Sequence, residues 1–351
     1  MPLDPQAEAL LARQAALDAP PLHTMTATDA RVAVEASIDT VTPREDVAAV
    51  ENREIPGPHG PIPVRIYAPA GPGPFPILLY FHGGGWVVCS IETHDAWSRH
   101  ITNKIGCVVV SVDYRQAPEH RFPAAVDDCY AATHWVATHA ASCNGDGGRI
   151  AVAGDSAGGT LATVVCLLAR DQGSPALTYQ VLITPSTDYY NLTLPSYRDN
   201  ATGYGMDTAD VVWLMDHYLP RDVDRDDPRA FPLRAKDLTG LPPAMVMTAE
   251  YDSLRDDGDL YAVRLQEAGV PVTWSRYEGM THNFPLAYAV LDRGEQAVDE
   301  MADALRSAFS LPPHGTIFSP IGRTVSTTGI ARNDERDWTE IGRGEGHDTR
   351  G

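Results

Sequence analysis

Apolar residues recur at helical spacing in the first part of the chain. Asp4 can cap a helix that has Pro5 in its first turn, and leucines and alanines up to Leu17 form one apolar face. A second helical segment follows Thr28. Two such short helices cannot fold alone. We therefore expect residues 1–48 to form N-terminal helices that lie on a larger body.

The pattern changes after residue 50. Residues 51–55 and 62–67 alternate polar and apolar side chains on either side of a turn at 56–60, which predicts a β-hairpin. Continuous apolar runs then alternate with amphipathic segments. The predicted strands are 77–81, 107–112, 149–153, 179–184, 244–248 and 272–277. The predicted helices are 96–105, one that follows a loop at 113–128 and ends near 139, 160–170, 256–268 and 286–310.

This alternation predicts an α/β fold with a mostly parallel central sheet that is flanked by helices, as one catalytic domain over residues 49–310. Two segments interrupt it. Residues 186–228 lie between strands and contain a helix around 209–219, which suggests either a lid over a site or a surface excursion. Residues 311–351 are polar and have no clear period, so we expect a largely disordered or loosely attached C-terminal tail.

The most informative stretch begins at the predicted strand 149–153. Gly154-Asp155-Ser156-Ala157-Gly158 leads from this strand directly into a helix, which is the strand–turn–helix pattern of a nucleophile elbow. The tight turn needs small residues two positions before and after the serine, and glycines occupy both. We predict Ser156 as a nucleophile, and we expect the Asp155 side chain to point away from the pocket and make a structural hydrogen bond.

A serine nucleophile requires a base, an acid that orients the base, and donors for the oxyanion. Asp252 and His282 each follow a predicted strand, at the sheet edge where open parallel sheets gather their sites, and they come after the serine in the order acid then histidine. Asp256 is the alternative acid. A Gly83-Gly84-Gly85 run follows the strand 77–81.

Glycine lets backbone N–H groups approach a ligand closely, so we predict an oxyanion hole formed by Gly83, Gly84 and Ala157. His82, directly before the glycines, is expected to hold the loop, although a role as base is an alternative. Glu119 is expected to accept hydrogen bonds that fix its own loop, with direct catalysis as the alternative.

Five motifs occur in order: HGGGW at 82–86, DYRQAPEHRFPAA at 113–125, GDSAGG at 154–159, AEYDSLRDDG at 249–258 and GMTHNF at 279–284. Together they resemble the hormone-sensitive-lipase-like (family IV) carboxylesterases. The resemblance implies Ser156 as nucleophile, Asp252 as acid and His282 as base. It also implies that residues 1–48 and 186–228 make a cap over the acyl pocket.

The resemblance further implies short- to medium-chain acyl esters as substrates and is compatible with a homodimer. We assign Trp86, Tyr204 and Trp213 to substrate binding. Three positions depart from the family pattern: Ser253 stands where proline is common, and Asn283 and Cys89 stand where glycine is common.

Composition removes several other functions. A net charge of −20 disfavours binding to nucleic acid. The sequence contains no apolar run of about 18 residues, so no membrane-spanning helix is predicted. The N-terminus shows no signal peptide, so we expect a cytoplasmic protein. No metal or nucleotide motif occurs, and we predict no cofactor. Two rivals use the same fold: an amide, lactone or N-acetyl hydrolase with the same three residues, and a non-catalytic small-molecule receptor, which in related proteins lacks the histidine.

Overall fold

A computed structural model describes residues 2–37, 42–188 and 192–312 of the chain. These residues form an eight-stranded sheet with the spatial order β1-β2-β4-β3-β5-β6-β7-β8. The strands are Ala49–Gly57 (β1), Gly60–Ala68 (β2), Phe75–Phe81 (β3), Val108–Val112 (β4), Gly145–Asp155 (β5), Tyr179–Ile183 (β6), Ala244–Tyr251 (β7) and Val272–Thr281 (β8). The first two pair antiparallel to each other and to β4, and the strands from β4 to β8 are parallel. The prediction of a mostly parallel α/β sheet is confirmed.

Helices pack against both faces of this sheet. The α-helices are Pro5–Ala15 (α1), Ala27–Ala36 (α2), Asp95–Ile105 (α3), Ala124–His139 (α4), Ala157–Gln172 (α5), Pro195–Asp199 (α6), Thr208–Tyr218 (α7), Arg255–Glu267 (α8) and Asp292–Ala308 (α9). Short 3₁₀ turns occupy Leu22–Thr24, Ala140–Cys143, Pro232–Arg234 and Phe284–Ala287. Alternate residues of β3 face opposite sides, so that Leu79 and Phe81 join one buried cluster while Leu78 and Tyr80 join the other.

Several predicted boundaries shift. The last helix begins at Asp292 rather than residue 286, because a 3₁₀ turn at Phe284–Ala287 comes first. The loop predicted over 113–128 ends five residues early, since α4 begins at Ala124 directly after Pro123, where a missing backbone N–H costs a helix nothing. The hairpin turn is only two residues long.

The N-terminal helices begin as the sequence predicts. The Asp4 carboxylate caps α1 by accepting from the Gln6 N–H at 2.8 Å, and Pro5 occupies its first turn. Thr26 caps α2, which therefore starts one residue before Thr28. The Asp4 N–H also donates to the Gly279 carbonyl at 3.0 Å, which attaches the start of α1 to β8.

The insertion contains the predicted helix, now α7. His23 from the N-terminal segment contacts α7, with its Nδ1 2.7 Å from an Asp210 carboxylate oxygen. The predicted C-terminal tail lies outside the described residues from residue 313 onwards. Among the described residues, no helix combines the length and apolar character that a membrane crossing requires.

Candidate active site

The predicted nucleophile lies at the sharp turn between β5 and α5. Ser156 has φ 53° and ψ −121°, a region that side-chain-bearing residues rarely occupy and that carries strain. Its N–H donates to the Ile183 carbonyl at 2.8 Å, which ties the turn to the end of β6. The residue is only 4% exposed. The local pattern of strand, glycine-flanked serine and helix thus produces the expected elbow.

Glycine is required on both sides of Ser156 because the backbone of the turn lies very close to the backbone at the end of β3. An ideal Cβ on Gly158 would lie 1.8 Å from the Phe81 carbonyl oxygen, and one on Gly154 would lie 2.3 Å from the Gly158 backbone. Both contacts are with backbone atoms, so they cannot be relieved by a side-chain rotation. The spacing of the two glycines is therefore required by packing of the turn on β3.

Replacing Gly158 by alanine is expected to destabilise the protein by about 3 kcal/mol or more, because the methyl group would overlap the backbone after β3. The urea midpoint of unfolding measures this. Gly148→Ala is the matched control, since the nearest atom to its Cβ is a side-chain oxygen of Asp146 at 3.3 Å. Equal midpoints for Gly158→Ala and wild type would contradict this explanation of the elbow.

Asp252 and His282 meet because their strands are neighbours in register. Tyr251, the last residue of β7, pairs with Thr281, the last residue of β8, and Asp252 and His282 directly follow them. The Nδ1–H of His282 donates to Asp252 Oδ2 at 2.8 Å. The other Asp252 oxygen accepts from the Leu254 N–H at 2.9 Å. Both side chains are buried, and the carboxylate fixes the orientation of the imidazole.

The second ring nitrogen of His282 is free to take a proton. Among the described residues, His282 Nε2 is buried and has no hydrogen-bond partner. Catalytic hydrogen bonds are often long without substrate and tighten when it binds. Burial on its own lowers the pKa of His282, but the charge of Asp252 and its hydrogen bond outweigh burial, so that this pKa lies above its ordinary value.

Asp256, the alternative acid, is oriented elsewhere. Its carboxylate pairs with Arg255 at 2.8 Å and accepts from the Ser196 N–H at 2.8 Å. It lies in the first turn of α8, where a carboxylate suits the helix dipole. The structure therefore brings Asp252, and not Asp256, to His282.

One of the three predicted oxyanion donors, the Gly83 N–H, is already used by the fold. The Gly83 N–H already donates to Asp155 Oδ1 at 3.0 Å, so Gly83 is replaced as a candidate. The N–H groups of Gly84, Gly85 and Ala157 have no acceptor within the part of the chain that the structure describes. Gly85 and Ala157 line the same cavity as Ser156. Sequence reasoning missed Gly85 because a run of three glycines does not show which N–H is used by the fold.

Asp155 joins three parts of the site. Besides the Gly83 N–H, its carboxylate accepts from the Tyr80 hydroxyl at 2.7 Å and from the Asn283 amide at 2.8 Å. Burial alone would raise the pKa of Asp155, yet the nearby His94 and the Tyr80 hydrogen bond hold that pKa below its ordinary value. The expected structural role of Asp155 is confirmed, and the carboxylate connects the elbow to the glycine loop and to the loop of His282.

His82 holds the glycine loop rather than acting as a base. Its Nδ1–H donates to the Gly83 carbonyl at 2.8 Å, and its ring stacks on Tyr114 with the centroids 4.4 Å apart. Burial, with a contribution from His94, lowers the pKa of His82 to about 4, so the ring is neutral at pH 7.

Comparison with known proteins places this geometry in a family. An α/β-hydrolase fold model matches residues 78–286. Carboxylic ester hydrolase LipN of Mycobacterium tuberculosis is 42% identical over 267 residues, covering 74% of this chain and 71% of LipN. Esterase LipI of the same organism is 39% identical over 305 residues, covering 83% of this chain and 95% of LipI. The chain is a hormone-sensitive-lipase-like α/β-hydrolase.

The hydrolase also resembles solved esterases along most of its length. The Pyrobaculum calidifontis esterase superposes with a TM-score of 0.82 at 42% identity, covering 87% of this chain and 99% of that chain. The expectation of a serine hydrolase that acts on carboxylic esters is confirmed. No group of three or more His, Cys, Asp or Glu side chains in the described ranges is arranged to hold a metal ion.

The structure shows the setting of the three departures from the family pattern. Asn283 and Cys89 have φ of 54° and 68°, the left-handed region in which glycine is favoured and asparagine is tolerated. Asn283 adds bonds that glycine could not make, since its carbonyl also accepts from the Thr184 hydroxyl at 2.7 Å. Ser253, in place of proline, donates to the Met206 carbonyl at 3.1 Å.

The hydrolase has two cavities at this site, which share Met206. One, of about 20 Å³, lies beside Ser156 and is lined by apolar residues of α7. The other, of about 280 Å³, lies beside His282 and α1. Trp86 lines the first and Tyr204 the second. Trp213 lines neither cavity and packs beside His217, with the ring centroids 4.3 Å apart.

An ion pair that the sequence did not reveal attaches α2 to the site. Arg31 forms a double hydrogen bond with Glu119, at 2.6 and 3.0 Å, and donates to the Val87 carbonyl just after HGGGW. The Arg31 hydrogen bond lowers the pKa of Glu119 to about 2. Glu119 therefore fixes a loop, as expected, but its partner comes from the N-terminal helix, 88 positions earlier.

Proposed function

We propose that this hydrolase cleaves carboxylic esters with short- to medium-chain acyl groups through an acyl-enzyme on Ser156. The observation that carries the proposal is the Asp252–His282 pair, whose Nε2 has no partner among the described residues, at the same edge of the sheet as the strained, glycine-flanked Ser156. The relatives LipN and LipI, named as a carboxylic ester hydrolase and an esterase, support the same reaction.

In the first step, His282 Nε2 takes the proton of Ser156 Oγ as the oxygen attacks the ester carbonyl carbon. The carbonyl oxygen becomes an oxyanion, which we assign to the N–H groups of Gly84, Gly85 and Ala157. The loss of one such donor typically slows acyl transfer by about 100- to 1000-fold. The carbon–oxygen bond to the alcohol then breaks, and His282 gives its proton to the departing alkoxide.

In the second step, His282 takes a proton from water, whose oxygen attacks the acyl carbon. The bond to Ser156 Oγ breaks, the serine regains a proton from His282, and the carboxylic acid leaves. Asp252 stays ionised, keeps the Nδ1–H tautomer and stabilises the imidazolium that forms in each step.

Residues 1–48 and 186–228 are proposed to act together as a cap. Support comes from the contact of His23 with Asp210 and from the larger cavity, which is lined by both α1 and Tyr204. In this arrangement substrate specificity lies in the cap, while the reaction is carried out by the loops at the end of the sheet.

The rivals are less well supported. A non-catalytic receptor would not need the histidine, yet His282 is paired with an acid and buried. An amide or lactone hydrolase would use the same residues, but LipN, LipI and the Pyrobaculum calidifontis protein are named as hydrolases of carboxylic esters or as esterases.

The activity is expected to rise with pH through the pKa of His282, since only the neutral imidazole can accept the serine proton. The charge of Asp252 raises that pKa, so the midpoint of the acid limb of kcat/KM should lie above the ordinary histidine value of about 6.5. Hydrolysis rates of an ester with a pH-independent leaving group, measured from pH 5 to 9, give this midpoint. A flat profile over that range would argue against His282 as the base.

Incubation with a p-nitrophenyl phosphonate tests the nucleophile together with the function. We expect hydrolysis of p-nitrophenyl acetate to stop as one phosphonyl group is added, and peptide mass spectrometry to find it on Ser156. Labelling of another residue would overturn the assignment of the nucleophile. No hydrolysis of any p-nitrophenyl ester by the untreated protein would overturn the function.

A further inference from the structure

His282 and Ser156 follow strands that are not neighbours in the sheet. Between β5, which leads to Ser156, and β8, which leads to His282, lie β6 and β7. Three strand spacings of about 4.8 Å place β5 and β8 about 14 Å apart. The hydrogen bond to Asp252 fixes His282 only to the end of β7. Sheet pairing alone therefore leaves the distance between base and nucleophile dependent on every strand between them.

An asparagine side chain spans this gap directly. Asn283, the residue after His282, donates from its amide nitrogen to Asp155 Oδ2 at 2.8 Å, and Asp155 is the residue before Ser156. The amide oxygen of Asn283 accepts from the Thr184 hydroxyl, which follows the end of β6, at 2.7 Å. One amide group thus joins the loop of His282 to the elbow and to the strand beside the elbow.

Thr184 lies against the elbow in a backbone conformation that threonine rarely adopts. Its φ is 41°, and the carbonyl of Ile183, directly before it, accepts the Ser156 N–H at 2.8 Å. Asn283 has φ 54°, so residues with positive φ lie at the ends of β5, β6 and β8. Such conformations persist where the surrounding structure holds them, and they are concentrated at active sites. The two hydrogen bonds of the Asn283 amide supply this restraint.

The partners of Asn283 allow only one orientation of its amide. Asp155 accepts hydrogen bonds and donates none, because its pKa lies below the ordinary value and it is ionised at neutral pH. The amide nitrogen must therefore face Asp155, which leaves the amide oxygen for the Thr184 hydroxyl. Glycine, the residue common at this position in the family, could make neither bond. Because glycine adopts positive φ readily, Asn283→Gly removes both bonds without adding backbone strain.

We propose that Asn283 and Thr184 are positioning residues that hold His282 at the distance from Ser156 that proton transfer requires. They act through the elbow and not on the substrate. The proposal rests on the proposed function, since it concerns the transfer of the serine proton to His282. The effect should be large for residues that touch no reacting atom, because a displacement of about 1 Å can lower the rate of an enzyme about 100-fold.

Asn283→Gly is expected to lower kcat for p-nitrophenyl acetate about tenfold or more, with an unchanged circular dichroism spectrum. The matched control is Asn144→Gly. Asn144 has nearly the same backbone, with φ 55° and ψ 28° against 54° and 25° for Asn283, but it precedes β5, at the opposite end of that strand from Ser156. The control should keep the wild-type kcat. A smaller loss for Asn283→Gly, or an equal loss in the control, would overturn the proposal.

A double-mutant cycle with Thr184→Val separates positioning from contact with substrate, because Asn283 lines the larger of the two cavities and Thr184 lines neither. Thr184→Val alone should lower kcat and leave KM unchanged, since it releases the amide oxygen of Asn283. In the Asn283→Gly protein the same substitution should cost no further activity, because Thr184 acts through Asn283. Additive losses would contradict the proposal.

Two outcomes are kept apart by the wild-type protein. If wild type cleaves no p-nitrophenyl ester, ester hydrolysis itself is wrong. If wild type is active and Asn283→Gly is equally active, only the positioning role is wrong. Should Asn283→Gly fail to fold, Thr184→Val alone decides, and a wild-type kcat in that variant would overturn the proposal.

Discussion

The Ser156→Ala variant is expected to lose about 10⁵- to 10⁶-fold in kcat for p-nitrophenyl acetate while keeping its fold. Alanine removes the only atom that can form the acyl-enzyme, and the oxyanion donors cannot replace it. The residual rate would come from water attack on a bound ester. Assays of p-nitrophenol release, with the circular dichroism spectrum as a check of folding, measure the effect.

Ser142→Ala serves as the control for this variant, since Ser142 lies in a 3₁₀ turn on the surface, beside Arg53. It should hydrolyse the ester at the wild-type rate. If Ser156→Ala kept more than about a tenth of wild-type activity, with the purified protein free of other esterases, the acyl-enzyme mechanism would have to be abandoned.

Asp252→Asn is expected to lower kcat by about 10⁴-fold at neutral pH. Asparagine can keep the hydrogen bond from the Leu254 N–H, but it cannot both accept from Nδ1–H and supply the charge that stabilises the imidazolium. Because that charge also raises the pKa of His282, the acid limb of the remaining activity should move to lower pH.

Asp256→Asn is the control for Asp252→Asn. Asp256→Asn removes a charge only four positions away, but Asp256 faces Arg255 and the Ser196 N–H. We expect Asp256→Asn to lose far less activity and to keep the wild-type pH midpoint. A reversed order of the two variants would return the role of acid to Asp256.

The sequence is sufficient to predict what depends on local order along the chain. The strand, glycine-flanked serine and helix at 149–170 predict the elbow, since the turn itself requires small residues at Gly154 and Gly158. Asp252 and His282 can be placed because each directly follows a strand and parallel strands end at one edge. Their contact follows from the register of Tyr251 with Thr281.

Contacts between residues that are far apart in the chain cannot be predicted from this sequence. Three consecutive glycines look alike until the Asp155 carboxylate, 72 positions away, is seen to bind the Gly83 N–H. The aromatic ring of Trp213 suggests a substrate contact, but α7 has apolar residues on several faces, and its period does not show which face meets a cavity. The Arg31–Glu119 pair joins two segments whose charges have no common pattern in the sequence.

The hydrogen bonds of Asp155 also affect which substitutions the active site can tolerate. The elbow, Gly83 and Asn283 come from three separate segments, and none of the hydrogen bonds by which the Asp155 carboxylate joins them involves a residue of α1 or α7 among the described residues. Substitutions in α1 or α7, which supply the cavity residues Leu10 and Leu214, therefore leave these Asp155 contacts in place. Substrate preference can therefore change through those two helices while the Asp155 contacts that join the elbow to the glycine loop and the His282 loop are kept.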